Sequence, residues 1–169
     1  LMLAAFADAA TALTREADTT LAAAGRRYRE IAERAGERLL VVLPDERGRL
    51  RRSWKDGQAR HAGTLEDHAC LADGLLALHD ATADERWFSA ARDLAETVLA
   101  HFADPEGGFF DTADDAETLV ARPRSLEDNA LPSGNAMAVL VLMRLAALTG
   151  EGRYTDAAEA ALDLLSADG

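Results

Sequence analysis

Cysteine is almost absent: Cys70 is the only one in 169 residues. An internal disulfide and a thiolate-based zinc site are therefore excluded, and Ala69-Cys70-Leu71 reads as a small core position. Aromatic residues make up 5% of the chain, so Ala and Leu must fill the interior. Strand-favouring residues are scarce, whereas Ala, Leu, Arg and Glu are plentiful, which predicts an all-α protein. The longest apolar run, Ala136 to Leu148, is broken by Arg144 and falls short of the roughly 20 residues that span a bilayer. The opening residues lack the charged, apolar and cleavage-site order of a secretory signal. A soluble, cytoplasmic protein without a membrane partner is the expectation.

Basic residues are in the minority, 18 against 30 acidic ones, for a formal net charge of -12. This argues against nucleic acid as a partner, because phosphate contacts need a concentrated basic surface. The locally basic stretch Arg47-Gly48-Arg49-Leu50-Arg51-Arg52 reads as a solvated loop. A Gly-rich phosphate loop, a nucleophile elbow and a Cys/His nucleophile pair are all missing. His61, His68, His79 and His101 show no close metal spacing; His68 and His79 stand three helical turns apart, too far to share one ion. Neither a metal nor a cofactor is expected.

What the chain does contain is a repeat. Arg27-Tyr28, Arg86-Trp87 and Arg153-Tyr154 each head a helical apolar pattern, exemplified by Ile31, Ala35 and Leu39 in the first copy. Each pair is expected at the start of a helix. Leu43-Pro44-Asp45-Glu46-Arg47-Gly48 closes the first copy and Ala103-Asp104-Pro105-Glu106-Gly107-Gly108 the second, since Pro and Gly end helices. Ahead of each Arg-aromatic helix lies another that is apolar on most faces, near Met2 to Leu13, Leu65 to Thr82 and Ser133 to Thr149. The unit is thus a hairpin of a buried inner helix and an amphipathic outer one.

Three such hairpins are expected, at about 1–43, 65–102 and 133–166. Long irregular links, Pro44 to Gly63 and Ala103 to Leu131, separate them, which favours a closed ring of hairpins over an open solenoid. Three hairpins would make part of an (α/α)6 toroid. Its apolar edge would be covered by the remaining hairpins of the ring or by a second copy of the chain.

Chemistry is expected at the starts of the second and third inner helices. Thr64-Leu65-Glu66-Asp67-His68 and Ser125-Leu126-Glu127-Asp128-Asn129 occupy equivalent places. In each, an acid three residues after Thr or Ser fits a capping box, in which the acid meets free backbone N–H groups. The competing reading makes Asp67 and Asp128 catalytic carboxylates facing one cavity, as acid/base chemistry on a sugar requires. Glu66, His68 and Asn129 flank them as ligand contacts. Leu131-Pro132-Ser133-Gly134-Asn135 would open the third inner helix at Pro132 or Ser133, with Ser133 and Asn135 offering small polar groups to a hydroxylated ligand or serving as an ordinary cap. Trp54, in the loop Trp54-Lys55-Asp56-Gly57, could stack on a sugar or anchor the link.

Several segments together carry a resemblance: Arg51-Arg52-Ser53-Trp54-Lys55-Asp56-Gly57, Leu65-Glu66-Asp67-His68-Ala69, Gly74-Leu75-Leu76-Ala77-Leu78, Gly107-Gly108-Phe109-Phe110-Asp111-Thr112, Val120-Ala121-Arg122-Pro123-Arg124 and Asp128-Asn129-Ala130-Leu131-Pro132-Ser133-Gly134-Asn135. In this order they resemble the helical region of the YyaL-like, spermatogenesis-associated thioredoxin-domain proteins. That region is similar to the six-hairpin glycosidases and to N-acylglucosamine 2-epimerase. The resemblance implies a carbohydrate-related toroid that binds a sugar-like small molecule. The alternatives are a non-enzymatic scaffold for a thioredoxin-like partner domain, or an active glycosidase or epimerase. The thioredoxin-like domain that such proteins carry ahead of the ring has no counterpart in these residues. His68-Ala69-Cys70 departs from the family, which more often has an aromatic after the acid and again two positions later.

Overall fold

A computed structural model describes residues 1–116, 122–125 and 131–167. Its helices are α1 (Met2–Thr14), α2 (Thr19–Val42), α3 (Leu65–Thr82), α4 (Glu85–His101), α5 (Gly134–Thr149) and α6 (Gly152–Ala167), and a two-stranded ribbon, β1 (Arg51–Lys55) and β2 (Gln58–Ala62), lies between α2 and α3. The helices pair as α1 with α2, α3 with α4 and α5 with α6, while α1 packs on α3 and α3 on α5. Three hairpins therefore stand side by side with α1, α3 and α5 inside.

Burial separates the two kinds of helix. In α3, Leu65, Ala69, Ala72, Leu75, Leu76 and Leu78 are all buried, on more than one face. In α4 the buried residues are Trp87, Ala91, Ala95 and Val98, a single stripe at helical spacing. Fully burying a Leu contributes about 1.5–3 kcal/mol, so the inner helices supply most of the apolar stabilisation. An ionic clamp crosses the α3–α5 contact: Arg144, the interruption in the long apolar run, reaches Asp73 at 2.8 Å and Asp80 at 2.7 Å.

The Arg-aromatic repeat has a structural purpose. Trp87 and Tyr154 are fully buried, and each preceding guanidinium folds over its ring, at 4.2 Å for Arg86 and 4.5 Å for Arg153. The same arginines bridge back to the previous outer helix, Arg86 to Glu37 at 2.9 Å and Arg153 to Glu96 at 2.6 Å. Tyr28, in the first copy, packs edge-on against Phe6 at 5.5 Å instead. Its helix also begins earlier than its sequence pattern suggests. Asp18 caps α2 by accepting from the N–H groups of Thr20 and Leu21, which places Arg27 two turns inside the helix.

The links open with a repeated turn. Pro44 bridges to Leu50 and Ala103 to Phe109; Gly48 donates to the Asp45 carbonyl and Gly107 to that of Asp104. The two aspartates then hold Arg51 and Arg124, at 2.8 and 2.7 Å. Beyond this turn the first link is more regular than expected. Asp56 and Gly57 have φ of 52° and 79°, the mirror-image turn that suits a tight hairpin, so Trp54 lies in a strand rather than a loop.

Candidate functional site

α3 and α5 begin side by side. Thr64 caps α3: its Oγ accepts from the Asp67 N–H, and Asp67 Oδ2 accepts from the Thr64 N–H at 2.8 Å and the Thr64 hydroxyl at 2.9 Å. Ser133 caps α5 by accepting from the Ala136 N–H at 3.1 Å, so Pro132 lies just before the cap and the helix starts at Gly134. Gly134 permits the close approach, since a Cβ there would sit 3.1 Å from the Glu66 backbone nitrogen.

A cavity of about 300 Å³ opens over these two first turns. Its polar lining is Arg52, Thr64, Glu66, Asp111, Ser125 and Ser133, and Leu131 and Pro132 add an apolar side. Asp111 accepts from the Ser125 N–H at 3.1 Å and its hydroxyl at 2.7 Å, fixing the second link over the cavity. Arg52 lies 3.3 Å from the Thr64 hydroxyl and 3.7 Å from Asp67. The Glu66 carboxylate makes no hydrogen bond or ion pair with any described residue.

The candidate residues read from sequence separate into distinct roles. Glu66 and Ser133 line the cavity. Asp67 is not among the lining residues; its carboxylate is engaged in the helix cap and lies 3.7 Å from Arg52. Asn135 is fully buried: its Oδ1 accepts from the Phe109 N–H and its Nδ2 donates to the carbonyls of Phe109 and Ser125, so its amide braces the link instead of facing the cavity. His68 is 1% exposed, and its Nδ1 lies 2.8 Å from the Thr64 carbonyl. That carbonyl can only accept, so Nδ1 carries the proton, and Nε2 is left buried without a partner among the described residues. Burial pushes its pKa down and keeps the ring neutral. Trp54 lines none of the described cavities; the Arg38 guanidinium covers its ring at 4.6 Å. Asp128 and Asn129 lie outside the described residues.

Arg52 and Asp111, which sequence reasoning passed over, complete the lining. Neither belongs to a local catalytic or capping pattern; the basic run around Arg52 and the resemblance segments that contain both residues are the signals the sequence carries. The metal-competent grouping among the described residues is His101, Asp114 and Asp115, with ligand atoms within 4.8 Å of one another. It is already occupied by internal pairs, His101 with Asp114 at 2.8 Å and Asp115 with Arg49 at 2.9 Å.

No known family model matches the chain. Over 96 residues it is 35% identical to spermatogenesis-associated protein 20 of Mus musculus and 34% identical to that of Homo sapiens, a match covering 56% of this chain. The matched segment spans 12% of those proteins' length. In fold the chain is similar to cellobiose 2-epimerase from Spirochaeta thermophila, with a TM-score of 0.62 at 20% identity, covering 94% of this chain and 41% of the epimerase. The chain is thus similar in sequence to spermatogenesis-associated protein 20, in line with the resemblance, and its all-α fold matches part of the α/α-toroid of the epimerase.

Proposed function

We propose that this helical unit binds a sugar-like, hydroxylated small molecule in the cavity over the first turns of α3 and α5. The observation that carries the reading is the lining itself: carboxylates, hydroxyls and a guanidinium converge on about 300 Å³, with an apolar side from Leu131 and Pro132. Pockets of this size suit a monosaccharide, and a mixed donor–acceptor wall is what ring hydroxyls require. The shared fold with an enzyme named for epimerising cellobiose supports it. Glu66 replaces Asp67 as the acid best placed to meet a ligand, because Asp67 is engaged in the cap. A panel of mono- and disaccharides should raise the melting temperature of the protein, and Glu66→Gln should diminish the rise. A flat response across the panel would remove the support for this function.

A scaffold role, with the ring supporting a partner domain, draws on a different observation. Leu140, Met143, Leu148 and Leu162 of α5 and α6 are each more than two-fifths exposed. Stable association with a thioredoxin-like domain in native mass spectrometry would favour it, and a lone species would count against it.

A further inference from the structure

We infer that the cavity selects hydroxylated ligands that are neutral or carry an ammonium group, and disfavours phosphorylated ones. This rests on the sugar-binding reading above and adds the charge class of the ligand.

The local charge decides it. Glu66 and Asp111 line the cavity, and the Asp67 carboxylate is held 2.9 Å from the Thr64 hydroxyl of its wall. Against these three carboxylates stands, among the described lining residues, one guanidinium, Arg52, already 3.7 Å from Asp67. The starts of α3 and α5 each add roughly half a positive charge from the helix dipole. About one unit of negative charge remains, so an incoming phosphate dianion is repelled.

Hydrogen bonding points the same way. Asp111 uses both oxygens on Ser125, whose N–H and O–H are thereby engaged as donors within the lining. Ser133 Oγ accepts from Ala136. The half-buried Glu66 carboxylate, with no described partner, is an acceptor open to a ligand donor. A sugar hydroxyl or an ammonium supplies one, whereas an ionised phosphate offers oxygens alone.

The test is calorimetric titration of the protein with glucose, glucosamine and glucose 6-phosphate, repeated with Glu66→Gln. Glucosamine should bind on the order of tenfold more tightly than glucose 6-phosphate, and the substitution should shrink that ratio severalfold. An unchanged urea midpoint for Glu66→Gln shows that the fold is intact. Equal or tighter binding of the phosphate, or a ratio indifferent to the substitution, overturns the charge assignment alone. If none of the three binds, the sugar-binding reading falls and this inference with it.

Discussion

Asn135 grips the backbone of Phe109 from both sides, accepting from its N–H at 2.9 Å and donating to its carbonyl at 3.0 Å. The residues are 26 positions apart in sequence, and both are buried. An amide is the side chain that can return both bonds of a backbone group, and a third, at 3.2 Å, ties in the Ser125 carbonyl. One residue at the start of α5 thus holds the second link against the cavity.

Removing this grip should be costly. Asn135→Ala leaves a buried N–H and carbonyls without partners, which is expected to cost about 3 kcal/mol. Asn135→Asp should fare no better, since a carboxylate oxygen would then face two carbonyl oxygens. Urea unfolding of both variants checks this, and a loss below about 0.5 kcal/mol would contradict the bracing role.

Neighbouring acids at the start of α3 should behave in opposite ways. Asp67→Ala is expected to cost about 1 kcal/mol by opening the cap, and Thr64→Ala a similar amount. Combined, the two should cost clearly less than their sum, because each removes the same pair of bonds. Glu66→Gln should leave stability alone and weaken ligand response. A double-mutant cycle beside ligand-induced thermal shifts reads both, and additive losses would sink the reciprocal cap.

His68 gives stability a pH dependence of known sign. Its pKa in the folded state is held below the ordinary value of 6.5 by burial, so below about pH 6.5 the unfolded chain takes up a proton that the folded one refuses. The contribution is full above that pH and is lost as pH falls, by up to about 1.4 kcal/mol per pH unit. His68→Phe retains a ring against Phe102, which His68 packs at 5.0 Å, and should flatten the decline. Urea midpoints measured between neutral and mildly acidic pH follow the effect; a variant that declines as steeply as the parent would exclude His68 as its source.

Much of the fold was legible because it is written in short spacings. The Arg-aromatic repeat, the Pro/Gly turns after α2 and α4, and the Thr64–Asp67 cap all lie within a few residues of one another. The repeat suggests a helix start near Arg27, whereas α2 begins at Thr19 because Asp18 supplies the cap. Asp56-Gly57 similarly encodes a hairpin turn within the first link.

By itself the sequence determined an α-helical hairpin array with apolar inner and amphipathic outer helices, because local propensity and periodicity suffice for that. It also offers the starts of α3 and α5 as the place for a site, where the structure has a cavity. Only the tertiary structure decided which groups face the cavity. Successive residues on a helix point about 100° apart, so Glu66 and Asp67 differ in role although the sequence offers them as equals. Asn135 braces Phe109, and Arg52 and Asp111 reach the cavity from separate links, through contacts between segments that no local spacing encodes.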